Sequence, residues 1–119
     1  MSHPAAVCSR AFASVLSAGD LERAAACFAR DGCLVTPDGT AIHGRPQIRA
    51  VLAQMVARRT EIDVELSNSI RAGEVVLVRE RWRVRAGEVG AQVEHTLHPT
   101  LVLRQIEGAW KLSIATPWT

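Results

Sequence analysis

The sequence predicts an α+β domain in which three N-terminal helices pack against an antiparallel sheet. Before Thr60, apolar residues recur at helical spacing, whereas beyond it they alternate with polar ones, as strand residues do. Gly, Asp and Pro fall where the pattern changes, at positions where helix ends and tight turns call for them.

Each element follows from its own residues. Cys8, Phe12, Val15 and Leu16 form the stripe of a first helix ending at Ala18-Gly19. Asp20 caps a second helix with the stripe Leu21, Ala24, Ala25 and Phe28, stopped by Asp31-Gly32. A short strand over 33–36 then meets the turn Pro37-Asp38-Gly39-Thr40, and a brief return over 41–43 leads to Gly44-Arg45-Pro46. Pro suits a helix start, because its missing N–H would be unpaired there anyway. The third helix buries Ile48, Val51, Leu52 and Met55. Ile62, Val64 and Leu66 open a four-stranded meander that continues over 75–85, 92–105 and 110–116. Gly73, Ala86-Gly87 and Glu107-Gly108 mark its hairpin turns.

Composition limits the function classes. A chain of 119 residues with 48% hydrophobic content builds one domain, spanning 1–119, around one core. No apolar run approaches the roughly 18 residues that span a bilayer. The start Met1-Ser2-His3-Pro4 lacks the regions of a signal peptide, so a cytoplasmic location is expected and no membrane partner is. The three cysteines are odd in number and lack metal-ligand spacing, which points to reduced apolar residues and no metal. A net charge of +2, no Tyr and only two Phe argue against a nucleic-acid surface.

The order of elements, with local matches, resembles the nuclear transport factor 2-like superfamily, which includes ketosteroid isomerases and SnoaL-type polyketide cyclases. The matching residues are Ala18-Gly19-Asp20-Leu21, the run over 28–32, Gly44-Arg45 with Ile48-Arg49, Leu103-Arg104, and Gly108 with Trp110-Lys111. The resemblance covers nearly the whole chain and implies a cone: a curved, cystatin-like sheet wrapped around three helices and an apolar pocket. It also implies pairing of two copies through the outer face of the sheet. This superfamily hosts isomerases, cyclases, dehydratases and inert binding modules, so fold alone does not set function.

Transfer of the isomerase residues gives a negative result. Such a site uses a carboxylate base, a phenol and a neutral carboxylic acid. By local alignment these positions fall on Thr36, Phe12 and about Thr100, none of which can do that work. The last three strands contain no Asp, so acid–base chemistry would have to use Glu or His.

In the strand over 75–85, Val76, Val78, Glu80, Trp82 and Val84 share one face, and Leu77, Arg79, Arg81, Arg83 and Arg85 share the other. Four arginines do not fill a core, so Glu80 should point inward. There it would be a proton-transfer group or the partner of a core arginine such as Arg104. In the next strand, hydrophobicity turns Leu97, Leu101 and Leu103 inward. The resemblance instead turns His98 and Thr100 toward the pocket and leaves those leucines for a partner copy, and this second arrangement is the expectation taken here. His98 would then be a proton carrier or a hydrogen-bonded wall residue. Trp110, Leu112, Ile114, Thr116 and Trp118 share a face of the last strand, and Trp118 aligns with a pocket-lining aromatic.

The expected function is a cofactor-independent SnoaL-like isomerase, cyclase or dehydratase acting on a small hydrophobic carbonyl compound. Glu80 and His98 would be catalytic, while Phe12, Thr36, Trp82, Thr100, Ile114 and Trp118 would bind the substrate. The alternative is a non-catalytic ligand-binding or dimeric assembly module of the same fold.

Overall fold

The computed structural model describes residues 4–87 and 90–116. Helix α1 spans Pro4–Ser17 and turns its Ala5, Ser9, Phe12, Ala13 and Leu16 face into the core. Gly19 ends the connection at φ 79°, a conformation that glycine adopts without steric cost. Asp20 accepts a hydrogen bond from the Arg23 N–H and so caps α2, Leu21–Ala26. Strand β1 then runs from Phe28 to Val35, and β2 from Ala41 to His43. Helix α3, Arg45–Ala57, starts on Gly44 with Pro46 in its first turn and buries Ile48 and Leu52. Strands β3 (Glu61–Ala72) and β4 (Val75–Ala86) form a long hairpin, followed by β5 (Val93–Leu97), β6 (Thr100–Ile106) and β7 (Ala109–Thr116).

The seven strands make one sheet in the order β2-β1-β7-β6-β4-β3, with β5 also paired to β4. Its pairs are antiparallel except β1 with β7, which run parallel. The helices cover one face, and the core of Phe12, Leu16, Phe28, Leu52, Trp82, Leu101, Leu103 and Leu112 lies between the layers.

The second helix is shorter than its sequence pattern suggests. It ends at Ala26, and Phe28 already belongs to β1, where it pairs with Leu112. Phe28 and Ala29 are both buried, so the residues that looked like the last helical turn form a strand start distorted by a bulge before Cys33.

The segment expected as one strand over 92–105 is broken at His98-Pro99. Pro99 has no N–H for the ladder, although its carbonyl still accepts from the Glu80 N–H at 3.2 Å. Register survives the break, because Trp82 faces Leu97 on one side of it and Arg79 faces Thr100 on the other. Residues directly opposite in a sheet share a face. Leu101 and Leu103 stand opposite the buried Val78 and Val76, and both leucines are 0% exposed. They are core residues, not an outer surface, and Leu97 packs against the same core. Thr100 lies opposite the exposed Arg79, on the outer face. Hydrophobic alternation, not the alignment, gave the correct facing.

Strand β7 corrects a second expectation. Leu103 pairs with Leu112 but Val102 pairs with Ile114, so Ser113 is an extra residue. This bulge shifts the alternation by one. Leu112 and Ala115 point inward, and Ile114 is 43% exposed on the outside.

Candidate functional site

Strand β4 alternates as its sequence requires, with Val76, Val78, Glu80, Trp82 and Val84 buried and Arg79, Arg81 and Arg83 exposed. Glu80 is thereby forced into the interior at 2% exposure. Its Oε1 accepts hydrogen bonds from the Ser9 hydroxyl and the Trp82 indole N–H, both at 2.8 Å. Arg104, the core arginine considered as its partner, instead bonds Asp31 at 2.9 Å.

The surroundings of the carboxyl are apolar. The Phe12 ring lies 6.3 Å from Trp82 and meets Phe28 edge-on at 5.5 Å. Pro99 is fully buried and bonded through its carbonyl to the Glu80 backbone. Burial pushes the Glu80 carboxyl above the ordinary carboxylate value; the bonds from Trp82 and Ser9, then the charge of Arg10, pull the other way without reversing the shift. With two donors fixed on Oε1, a proton on the neutral acid belongs on Oε2, where it can be donated.

Ser9 was absent from the stripe read from sequence, yet the signal was there. It lies three residues before Phe12 and seven before Leu16, on the inward face of α1. A small hydroxyl in an apolar stripe near a buried carboxyl is a partner to look for.

The other expected site residues disperse. His98 lies exposed in the β5–β6 break, next to the buried Pro99. Thr100 and Ile114 face outward, as the register and the bulge dictate. Thr36 is committed to the 36–40 turn: its hydroxyl donates to Asp38, its N–H donates to the Thr40 carbonyl at 2.9 Å, and Asp38 is held below the usual carboxylate range mainly by that hydroxyl. Trp118 lies outside the described residues. Of the expected set, Glu80, Trp82 and Phe12 therefore come together, with Ser9 added. The inward neighbours of Thr100 are Pro99 and Leu101, both buried.

The outer arginines form a charge ladder. Arg81 pairs with Glu65 at 3.9 Å, Arg83 with Glu94 at 3.5 Å, and Arg85 with Glu61 at 3.3 Å and Asp63 at 3.5 Å. All are solvent-exposed pairs of the kind that contributes at most about 1 kcal/mol each.

Residues 9–110 match the sequence profile of the SnoaL-like domain. A search of curated protein sequences finds no match. Among solved structures, the chain is similar to a candidate dehydratase of the NTF2-like family from Streptomyces avermitilis, with a TM-score of 0.81, 17% identity, and coverage of 98% of this chain and 95% of that one. A ketosteroid isomerase-like protein from Erwinia carotovora matches with a TM-score of 0.78 and 15% identity, over 95% of this chain and 91% of that one. An NTF2-like protein with a cystatin-like fold from Novosphingobium aromaticivorans gives 0.77 and 15%, over 92% and 75%. At these identities the likeness concerns the fold.

Proposed function

Because the chain belongs to the SnoaL-like domain family, we propose that it is a cofactor-independent acid–base protein in which Glu80 moves the proton on a small hydrophobic carbonyl compound. The supporting observation is a carboxyl 2% exposed, among aromatic side chains, with one oxygen fixed by Ser9 and Trp82. A desolvated, oriented carboxyl whose proton is held closer to neutrality is suited to take the α-proton as the carboxylate and to return a proton from solvent exchange as the acid. Ser9 and Trp82 position it, and Phe12 and Trp82 make its surroundings apolar. His98, exposed in the break between β5 and β6, has no part in this step.

The proposal predicts exchange of α-protons for solvent deuterium in a panel of apolar cyclic ketones and enones, followed by NMR. Glu80→Gln keeps an oxygen for both hydrogen bonds but cannot give up a proton, so exchange should slow about a hundredfold or more. Equal rates in the wild type and Glu80→Gln would remove Glu80 from the chemistry.

A non-catalytic reading draws on the packing: Phe12, Phe28 and Trp82 are each at most 3% exposed and Phe12 packs against both of the others, so a ligand must displace them to reach Glu80. In a binding or assembly module that filling would simply be core. The absence of accelerated exchange with every compound of the panel is what this reading expects.

We also propose that two copies pair through the outer face of the sheet, with different residues from those expected. Register places Ile70, Leu77, Val102, Ile114 and Cys33 opposite one another in a single row across five strands. Ile70 and Ile114 are 56% and 43% exposed. A continuous apolar row of this kind marks an interface. The ladder beside it alternates in sign, so a second copy meets both charges.

A further inference from the structure

We propose a second ligand site outside the cone: a basic groove between α2, the start of α3 and the β6–β7 hairpin, which binds small molecules bearing a phosphate group. It is independent of the Glu80 chemistry.

Two adjoining grooves, of about 610 and 660 Å³, share Arg30 and Arg45 in their walls. Each volume lies in the range of small-molecule sites. The larger one gathers four cations, Arg30, Arg45, Arg104 and Lys111, against two carboxylates, Asp31 and Glu107. The smaller one adds Arg49 and Glu22, which are already paired with each other. The excess of two positive charges matches a phosphate dianion.

These cations are held in place. Lys111 Nζ donates to the Ala26 carbonyl at 2.8 Å, and Arg45 Nη2 to the Phe28 carbonyl at 2.6 Å. Those carbonyls lie where α2 ends and β1 begins, where a helix leaves acceptors without intrahelical partners. Structural need thus fixes the cations in advance, and a ligand does not have to order them. Arg104 bonds Asp31 in a solvent-exposed pair, which occupies one of the two carboxylates.

Donor capacity is left over at the guanidinium ends. Arg45 and Arg104 both line the larger groove, and among the described residues each bonds a protein acceptor through Nη2, which leaves Nη1 for a ligand. The exposed Arg30 stands outside the bonds just described. In addition, α3 starts on Gly44 without a side-chain cap, and its first residues, Arg45 and Pro46, line the smaller groove. The positive end of the helix dipole adds to the field there. Guanidinium forks on preset supports recognise phosphate oxygens in pairs, whereas chloride cannot use that geometry.

The test is titration of the ¹⁵N-labelled full chain with inorganic phosphate and with phenyl phosphate, at constant ionic strength in chloride. Saturable shifts at residues 30–31, 45–49 and 104–111 are expected, with phenyl phosphate binding more tightly than phosphate. Arg30→Gln and Arg104→Gln should each weaken binding about tenfold, the loss of one charge-assisted contact. Arg83→Gln on the outer sheet should leave binding unchanged. Shifts that never saturate, that chloride alone reproduces, or that persist with the same affinity in Arg30→Gln would overturn the site. Equal affinity for phosphate and phenyl phosphate would overturn its assignment to small organic molecules.

Discussion

At the residue scale, Glu80 is costly to keep and informative for that reason. A carboxyl raised by burial binds its proton more tightly in the folded chain than in the unfolded one. Its contribution to stability is therefore present below the ordinary value of 4.5 and is lost as pH rises through the higher folded value. Glu80→Gln removes the titration. Denaturant unfolding should thus show the wild type losing stability relative to Glu80→Gln as pH rises from 4.5; parallel pH profiles would contradict this. Leu101 offers a second measurement. At 0% exposure, Leu101→Ala should cost about 2–5 kcal/mol, whereas an outward leucine at an unfilled surface would cost little. Cys8 is protected in a different way. Burial, with Cys27 nearby, pushes its thiol up to about 11, so alkylation at pH 8 should run roughly a hundredfold slower than for an ordinary thiol.

At the element scale, much of the fold is legible in the sequence. Pro46 after Gly44, the alternation on β4 and the turns at Gly73 and Gly108 all appear where their residues place them. Expectations failed where an irregularity lies between two regular stretches. Helical spacing carried Phe28 into α2 because the chain switches period within two residues of Ala26, too briefly for a pattern to register. Ser113 shifted the facing of Ile114, since no residue type announces such a bulge. The third error came from trusting alignment over alternation at Leu101 and Leu103, although Pro99 already marked an interruption. The buried carboxyl was readable, because only one face of β4 could be inward. Its partner Ser9 required knowing how α1 lies across the sheet. The β1 bulge also carries a prediction. A Cβ on Gly32 would meet the Ala29 and Leu112 carbonyl oxygens at 3.0 and 3.1 Å, and backbone cannot yield as a side chain can. Gly32→Ala should therefore destabilise the chain by about 1–3 kcal/mol in thermal or denaturant unfolding.

At the scale of the whole molecule, the helices and the sheet enclose a single buried carboxyl among the described residues, and the outside carries the remaining candidate surfaces. The apolar row on the sheet predicts a dimer by solution mass, converted to a monomer by Ile114→Glu, with the helical content unchanged. A wild-type monomer at high concentration would leave that row without its partner. The central claim is that the interior holds a protonatable carboxyl tuned for proton transfer, and its most direct test is a ¹³C NMR titration of the Glu80 side-chain carboxyl, assigned by its loss in Glu80→Gln. The bonds from Trp82 and Ser9 both hold the value down, so Trp82→Phe and Ser9→Ala should each raise the midpoint, but the wild-type midpoint alone decides the claim. A value above 4.5 is predicted, and a value at or below it would contradict the claim.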